Sequence, residues 1–212
     1  MSNNLKAVIT GDLVNSRQIN TDEYSEVLNH LKELLHNLAQ EREMRFDIFR
    51  GDEFQVVLKD PAESVFIASI IRLSLLSIKV DVRQSIAVAE IDDLRSKVKS
   101  STGQAFVLSG QNLNNMKSEL FAFASSNNVL CKHLSATISL LDVHLSSLTP
   151  TKASVLSCYL QHSDESHEHI GKRLDKGRVN TTKLLNASHY TAVKGYLDYV
   201  YELIRLKGEI SE

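Results

Sequence analysis

The segment Arg50-Gly51-Asp52-Glu53-Phe54 joins two strand-like apolar stretches, 45–49 and 55–58. The pattern predicts a hairpin, because alternating apolar residues favour strands and glycine adopts the backbone conformations of tight turns. The two adjacent carboxylates repel each other unless a cation lies between them or one takes up a proton. The hairpin therefore predicts a cation-binding site, with a solvated polar turn as the alternative.

The chain has 212 residues, a length that favours one medium domain followed by a small one. A formal net charge of −2 with 24% charged residues is ordinary for a globular protein. Residues 1–6 lack the features of a signal peptide, and no apolar stretch is long enough to span a membrane, so we predict a cytoplasmic protein with no membrane contact. Cys131 and Cys158 are predicted to be reduced, buried thiols.

Apolar periodicity predicts an α+β fold in which helices cover an antiparallel sheet. A Thr149-Pro150 step then stops and restarts the helical pattern, which predicts a domain boundary between 1–148 and 149–212. The predicted strands span 5–10, 44–49, 55–58, 80–89 and 120–124. The predicted helices span 21–38, 60–78, 104–117 with an interruption near 109–110, 129–148, 150–161, 165–174, 180–186 and 190–206.

Asp12 follows the first predicted strand directly, after Thr10-Gly11. Ligands of open sheets gather at the carboxyl ends of strands. We expect Asp12 and Asp52 to face each other across adjacent strands, where their oxygens would suit a hard cation such as Mg²⁺. A purely structural turn aspartate is the alternative interpretation of Asp12.

The C-terminal part has the pattern of a helix-turn-helix, with Lys176-Gly177 in the turn and Asn180 as the cap of the following helix. Residues 171–183 contain five basic residues and one acidic residue. Such a patch is often only a solvated face, but next to a helix-turn-helix it favours binding of double-stranded DNA. A metal site at the nearby histidines is not predicted, because His167 and His169 do not share a helical face.

Two of these motifs resemble those of class III nucleotidyl cyclases and diguanylate cyclases. The segment from Val8 to Val14 is similar to the metal-binding first strand, and the 50–54 hairpin is similar to the carboxylate hairpin. The resemblance implies a ferredoxin-like palm of order βαββαβ. It also implies a homodimer, because those cyclases place their sites between two subunits.

By the same resemblance, Asp12, Asp52 and the Leu13 carbonyl would hold Mg²⁺, and Asn114 would orient the ribose of a purine nucleotide. If the chain were active, Asp12, Asp52 and Asn114 would be the catalytic residues. The phosphate-binding candidates are Arg17, Arg50, Gly51 and Asn114.

This sequence departs from the cyclase pattern at two positions. Ser118, with only Lys117 beside it, stands where those cyclases have an arginine, and lysine lacks the bidentate fork that binds phosphate. Arg50 replaces the first glycine of the diguanylate cyclase hairpin. Both departures argue against cyclase activity.

Over nearly its full length the chain resembles the SatD family, through AVITGDLVNSR, RGDEFQ, GQAFVLSG and the C-terminal helices. The resemblance places Ile170 and Leu174 in the core of the first helix and Val179 in the turn. It places the start of the recognition helix on the surface, with the DNA-binding candidates Arg178, Thr181, Thr182 and Lys183.

These observations predict a transcriptional regulator that binds DNA through 149–212, with a palm that binds a nucleotide with Mg²⁺ or mediates dimerisation. Two alternatives stay open. The first is a nucleotidyl cyclase or another nucleotidyltransferase that uses Asp12 and Asp52. The second is a catalytically degenerate palm that serves as an interaction module.

Overall fold

In this computed structural model, which describes residues 5–49 and 51–209, five strands form one sheet in the order β2-β3-β1-β4-β5. The strands pair antiparallel except for β5, which lies parallel to β4 at the edge of the sheet. The strands are β1 (Leu5–Leu13), β2 (Met44–Phe49), β3 (Glu53–Leu58), β4 (Val82–Glu90) and β5 (Phe121–Ser125).

Eight α-helices accompany the sheet in the described part of the chain. The helices are α1 (Thr21–Glu41), α2 (Ser64–Ser77), α3 (Gln104–Asn115), α4 (Asn128–Ser146), α5 (Pro150–Gln161), α6 (His167–Arg173), α7 (Arg178–Ala187) and α8 (Tyr190–Glu209). Short 3₁₀ turns lie at Ser16–Gln18, Pro61–Glu63 and Val98–Ser100. The run from β1 to β4 has the order βαββαβ, and its four strands adjoin as in ferredoxin-like folds. The predicted α+β class and palm order are therefore present, with β5 as a parallel addition to the predicted antiparallel sheet.

The two faces of the sheet are covered differently. Alternate residues of β1 point to opposite faces, so Ala7 and Ile9 join the main core with α1, α2 and α4, whereas Val8 packs with Ala105 of α3 in a second, smaller cluster. Residues 10 and 12 of β1 share the face of Val8 and therefore lie on the α3 side.

Gly11 allows β3 to approach β1 closely. It lies opposite Phe54 in the register of the two strands. A Cβ at Gly11 would lie 2.5 Å from Cζ of Phe54 and 2.9 Å from the carbonyl oxygen of Arg83. A larger residue would separate the strands at the point where Asp12 and the hairpin meet.

Helices α5 and α8 belong to the same hydrophobic core as the sheet. Leu156 and Leu160 of α5 and Val200 and Ile204 of α8 are buried in the cluster that contains α2. Pro150 begins α5 as predicted, with Thr149 accepting a hydrogen bond from the amide of Lys152. The domain boundary at 148–149 stays a prediction. The helices on its two sides share one hydrophobic core.

Several predicted boundaries and burials differ from the structure. Strand β1 continues through Gly11 and Asp12 to Leu13, and α3 is uninterrupted because Gly110 occupies an ordinary helical position. Both cysteines are free thiols, half-buried instead of buried. No helix in the described ranges is long and apolar enough to cross a membrane.

Candidate functional site

Asp12 lies near the end of β1, between Glu53 of β3 and Arg83 of β4 in the registers of the sheet. Its carboxylate accepts two hydrogen bonds from the Arg83 guanidinium: Nε donates to Oδ1 at 2.9 Å, and Nη2 donates to Oδ2 in a shorter contact. This hydrogen bond to Asp12 raises the pKa of Arg83. The negative charge of Asp12 is therefore balanced within the chain by Arg83, which was not among the predicted site residues.

Asp52 is held against the end of β1 by a different set of contacts. Its backbone carbonyl accepts from the amide of Leu13 at 3.2 Å, and its Oδ2 accepts from the hydroxyl of Ser16 at 2.6 Å. The Tyr24 ring lies beside the hairpin, where burial and then the charge of Asp52 raise the pKa of its hydroxyl. The structure thus brings the hairpin to the end of β1, and a site shared by Asp12 and Asp52 stays a prediction.

Gly51 has a backbone φ of 83°, which favours glycine. A Cβ there would lie 2.7 Å from the Tyr24 hydroxyl oxygen. Arg50 lies outside the described residues, and so does the side chain of Arg17. Their predicted phosphate contacts stay predictions.

The donor set does not fit Mg²⁺ in this arrangement. Both oxygens of Asp12 accept from Arg83, and a guanidinium at that position repels a second cation. Within the described residues, no cluster of three or more His, Cys, Asp or Glu side chains could hold a metal ion. Mg²⁺ binding by Asp12, Asp52 and the Leu13 carbonyl stays a prediction, and it would require Arg83 to leave Asp12.

A polar seam, defined here as Thr10, Gln55, Ser85, Ser109 and Asn112, runs between α3 and the sheet on the face of Asp12. Thr10 shares a hydrogen bond of 2.9 Å with Ser109 and accepts one of 3.3 Å from Gln55. The hydroxyl of Ser85 and the amide nitrogen of Asn112 are buried without a hydrogen-bond partner among the described residues. Such groups are rare in folded proteins and mark places where a ligand or water can bind.

Asn112, and not Asn114, faces the sheet. Asn114 is exposed, whereas the Asn112 amide nitrogen is buried. Asn112 follows the buried residues Ala105 and Ser109 at positions i+7 and i+3, so it continues the covered face of α3. That spacing is present in the sequence and would have identified Asn112 as a residue on the covered face of α3. Ser118 lies exposed in the loop before β5, where its amide donates to Glu119.

Helices α6 and α7 cross at Gly171. A Cβ at Gly171 would lie 2.5 Å from the carbonyl oxygen of Lys176 and 2.7 Å from Oγ1 of Thr181. Ile170 is buried as predicted, and Leu174 is half-buried at the C-terminal end of α6. The helix predicted over 165–174 is shorter in the structure, because it begins only after the Ser166 cap and ends at Arg173.

The first turn of α7 differs from its prediction in three respects. The cap is Gly177 instead of Asn180, so Val179 lies in the helix and not in the turn. Thr181, predicted to be exposed, is fully buried at the crossing with α6, because Gly171 leaves room there only for its hydroxyl. Thr182 is half-buried and shares a hydrogen bond of 3.0 Å with His167.

Arg178, Val179 and Asn180 of this turn and Lys183 of the next turn are exposed, and together with Gly177 they line a shallow surface groove. Lys172 and Arg173 of the basic patch pair with Glu168 and Glu165. Within the described residues, neither Arg178 nor Lys183 forms an ion pair within 4.0 Å. Lys176, in the turn before α7, is half-buried and also forms no ion pair within the described residues, so the unpaired positive charge of the patch lies in that turn and at the start of α7.

Comparison with known proteins gives structural neighbours and one family. No curated protein matches the sequence. Among solved structures, the crystal structure of the guanylyl cyclase Cya2 aligns with a TM-score of 0.45 and 16% sequence identity, over 56% of this chain and 74% of that chain. The model of the SatD family matches residues 6–197. This match spans far more than half of the sequence, and the chain belongs to the SatD family.

Proposed function

We propose that this SatD-family chain is a DNA-binding transcriptional regulator in which α6, the turn and α7 bind double-stranded DNA. The observation that carries the proposal is the exposed start of α7, in its first two turns, where Arg178 and Lys183 form no internal ion pair within the described residues. In helix-turn-helix proteins the N-terminal residues of the second helix reach the base edges. Asn180, also exposed there, has the amide that such contacts use.

The residue roles in this proposal follow from burial. Arg178 and Lys183 contact phosphates or base edges, because both are exposed and border the same surface groove at the start of α7. Thr181 packs the crossing with α6 and does not contact DNA, and Thr182 is available only in part because His167 binds its hydroxyl. The proposal therefore replaces Thr181 with Asn180 in the contact surface.

The experiment uses the full chain and a fluorescein-labelled DNA duplex of mixed sequence, with affinity measured by anisotropy at several salt concentrations. Phosphate contacts release counterions, so the affinity should fall as salt rises. Arg178→Ala and Lys183→Ala should each reduce the slope of log affinity against log salt by about one. Lys97→Ala, at an exposed lysine in the loop after β4, is the matched control and should leave the slope unchanged.

Two results would contradict DNA binding by α7. One is an affinity that does not depend on salt, and the other is an equal effect of the Lys97 and Lys183 substitutions. Intact folding of each variant is checked by thermal unfolding, so that a lost slope reports lost contacts.

For the sheet region, we propose a purine nucleotide as the ligand, bound on the α3 side of the sheet near Asp12 and Asp52. The observation that favours this second part is the polar seam, in which Ser85 and Asn112 have buried polar atoms without partners in the described chain. A nucleotide carries the donors and acceptors that could satisfy both. The resemblance to cyclases implies the same ligand, but with Asn114 as the contact.

Thermal unfolding of the full chain with ATP or GTP, with and without Mg²⁺, tests the nucleotide. Binding to the folded state alone raises stability by about 2.7 kcal/mol at a hundredfold excess over the dissociation constant. The increase should be lost on Asn112→Ala and kept on Asn114→Ala. If neither ATP nor GTP raised the thermal stability, a purine nucleotide would be excluded as the ligand of the polar seam.

The nucleotidyl cyclase or nucleotidyltransferase alternative predicts a product. The Arg83 guanidinium donates to the Asp12 carboxylate, and Ser118 stands where cyclases have an arginine. Incubation with nucleoside triphosphates and Mg²⁺ should therefore give no cyclic nucleotide. Turnover that is lost on Asp52→Ala would favour the enzyme over the regulator. Absence of both nucleotide binding and turnover would favour an interaction module.

A further inference from the structure

Helix α7 turns one face away from the rest of the chain. Thr181 and Leu185 are both 0% exposed and mark its inner face. Residues three or four positions apart share a face of a helix, so Val179, Lys183 and Asn186 form one row on the side opposite the two buried residues. All three are exposed, and this row is called the outer face of α7 below.

The outer face carries one positive charge, one amide and one apolar side chain, and Asn180 borders it with a second amide. Val179 is 69% exposed and lines a surface groove together with Asn180 and Lys183. In the described chain Lys183 forms no ion pair, and no side chain forms a hydrogen bond with the amides of Asn180 and Asn186. A single exposed valine is common on protein surfaces, but this one lies beside an unpaired cation and an unpaired amide.

The groups that DNA presents in its major groove match these side chains. The groove contains one kind of apolar group, the C5-methyl of thymine, so an apolar side chain that enters it has one partner there. Valine suits such a contact because its branched Cβ restricts χ1, and little side-chain entropy is lost when it is ordered. An asparagine amide accepts from N6 of adenine and donates to N7.

We propose that α7 selects A·T pairs in the major groove, with Val179 against the C5-methyl of a thymine and Asn180 on N6 and N7 of an adenine. The inference rests on the proposed DNA binding and adds the bases to it. Lys183, one turn after Val179, and Arg178, beside the outer face, bind phosphates. Because phosphate contacts carry no direct sequence information, Val179 and Asn180 determine the specificity.

The same contacts select double-stranded DNA over double-stranded RNA. The major groove of an RNA helix is deep and too narrow for side chains to read. Uracil, which replaces thymine in RNA, also lacks the C5-methyl that Val179 would cover. A helix that bound nucleic acid through its positive charge alone would not distinguish the two.

The contact of Val179 is tested with a pair of DNA duplexes and the full chain, by fluorescence anisotropy. The first duplex is selected on the wild type from a pool with a randomised core of two helical turns, and the second has deoxyuridine in place of every thymine. The wild type should bind the second duplex about fourfold more weakly for each methyl group covered, the value for burying one apolar carbon. Val179→Ala should bind the two duplexes with nearly equal affinity. Val107→Ala, at a residue of α3 that is 53% exposed, is the matched control and should keep the difference.

The contact of Asn180 is tested with 7-deazaadenine, which lacks the N7 acceptor. Replacing the adenines of the selected duplex should weaken binding of the wild type by about fivefold or more, and Asn180→Ala should bind both duplexes alike. Asn29→Ala, at an exposed asparagine of α1, is the matched control and should keep the loss. Val179→Ala and Asn180→Ala should retain the salt slope of the wild type, because neither side chain contacts a phosphate.

Three results would overturn the base contacts while leaving DNA binding in place, provided that Lys183→Ala still reduces the salt slope. They are equal binding of the wild type to the thymine and deoxyuridine duplexes, a loss on deoxyuridine that persists in Val179→Ala, and equal affinity for an RNA duplex of the same sequence. The absence of salt-dependent binding to any duplex would instead overturn the proposed function, and this inference with it.

Discussion

The arginines of the sheet region and the arginine at the start of α7 differ in whether a carboxylate pairs with them. In the sheet region, Arg72 is fully buried and donates to the carboxylates of both Asp81 and Asp142, and Arg83 donates to both oxygens of Asp12. In α7, Arg178 is exposed and has no carboxylate within ion-pair distance in the described chain.

This difference indicates where a charged ligand can bind with least competition. A phosphate that approaches Arg83 must displace Asp12, whereas a phosphate that approaches Arg178 displaces only water. The sheet region thus uses its charges to hold strands and helices together, whereas the charges at the start of α7 form no ion pair within the described chain. The following predictions test each half of this contrast, beginning with the largest effect.

Arg72→Met should lower the free energy of unfolding by about 3–5 kcal/mol, because it leaves Asp81 and Asp142 without their cation in a buried site. Arg72 also donates to the hydroxyl of Ser146 at 2.7 Å, so one substitution removes the link between α2, α4 and the residue before β4. Urea denaturation of the full chain measures the change.

The matched control is Arg95→Met, in an ion pair with Asp93 whose two side chains are 56% and 55% exposed. Exposed pairs contribute between about 0 and 1 kcal/mol. An equal loss for both arginines would show that burial of Arg72 does not determine its contribution, and the contrast between the two regions would lose its main support.

Gly171→Ala should destabilise the packing of α6 on α7 by about 1–3 kcal/mol, as overpacked positions do. Alanine is otherwise favoured over glycine in helices by about 1 kcal/mol. Here the new Cβ would meet the Lys176 carbonyl at 2.5 Å, and a backbone atom cannot rotate away. The loss of stability is measured as a lower urea midpoint. The affinity for DNA should fall as well.

Gly195→Ala in α8 has the opposite expected sign and serves as the control. A Cβ at this position would have no neighbouring atom of the described chain within 4 Å beyond its own helix backbone. The helix propensity alone should therefore stabilise the chain by about 0.5–1 kcal/mol. A stabilising effect at Gly171 as well would mean that the crossing holds α7 less tightly than the distances indicate.

The sequence predicted the parts of the fold that depend on local patterns. Strand β2 and helix α5 begin and end where alternation and the Thr149-Pro150 step place them. The pairing of Asp12 with Arg83 could not be predicted in this way, because the two residues are 71 positions apart and meet only through the order of the strands. Alternation in β4 does place Arg83 on the face away from the main core, which is a partial signal.

Among the candidate site residues, the predicted exposure of Thr181 is wrong and the role of Asn114 stays a prediction. The motif spacing from Gly110 points to Asn114, although the phase of α3 turns Asn112 towards the sheet. The position of Thr181 near the start of α7 predicts exposure, but the missing side chain at Gly171 lets α6 approach and bury it. The phase of α3 can be read from the sequence, whereas the burial of Thr181 requires knowledge of the helix crossing.

The pair of Asp12 and Arg83 should contribute about 0.5–1 kcal/mol of coupling energy in a double-mutant cycle with Asp12→Asn and Arg83→Met. The value is modest because the two side chains are 21% and 35% exposed. Mg²⁺ should not change the thermal stability of the wild type, and it should stabilise Arg83→Met, in which Asp12 is open to a cation. Stabilisation of the wild type by Mg²⁺ that disappears on Asp12→Asn would instead support the metal site implied by the cyclase resemblance.

Arg178→Ala and Lys183→Ala should have the smallest effect on stability, within about 0.5 kcal/mol of the wild type, because exposed residues without packing or ion pairs contribute little to folding. The same substitutions should have the largest effect on the salt dependence of DNA binding. Urea denaturation and anisotropy on the same samples separate the two quantities. A residue that can be removed without loss of stability but not without loss of affinity is kept for its ligand, and Arg72 should show the reverse. If Arg178→Ala lowered stability as Arg72→Met does, the exposed turn of α7 would be part of the scaffold and the proposed DNA contact would lose its basis.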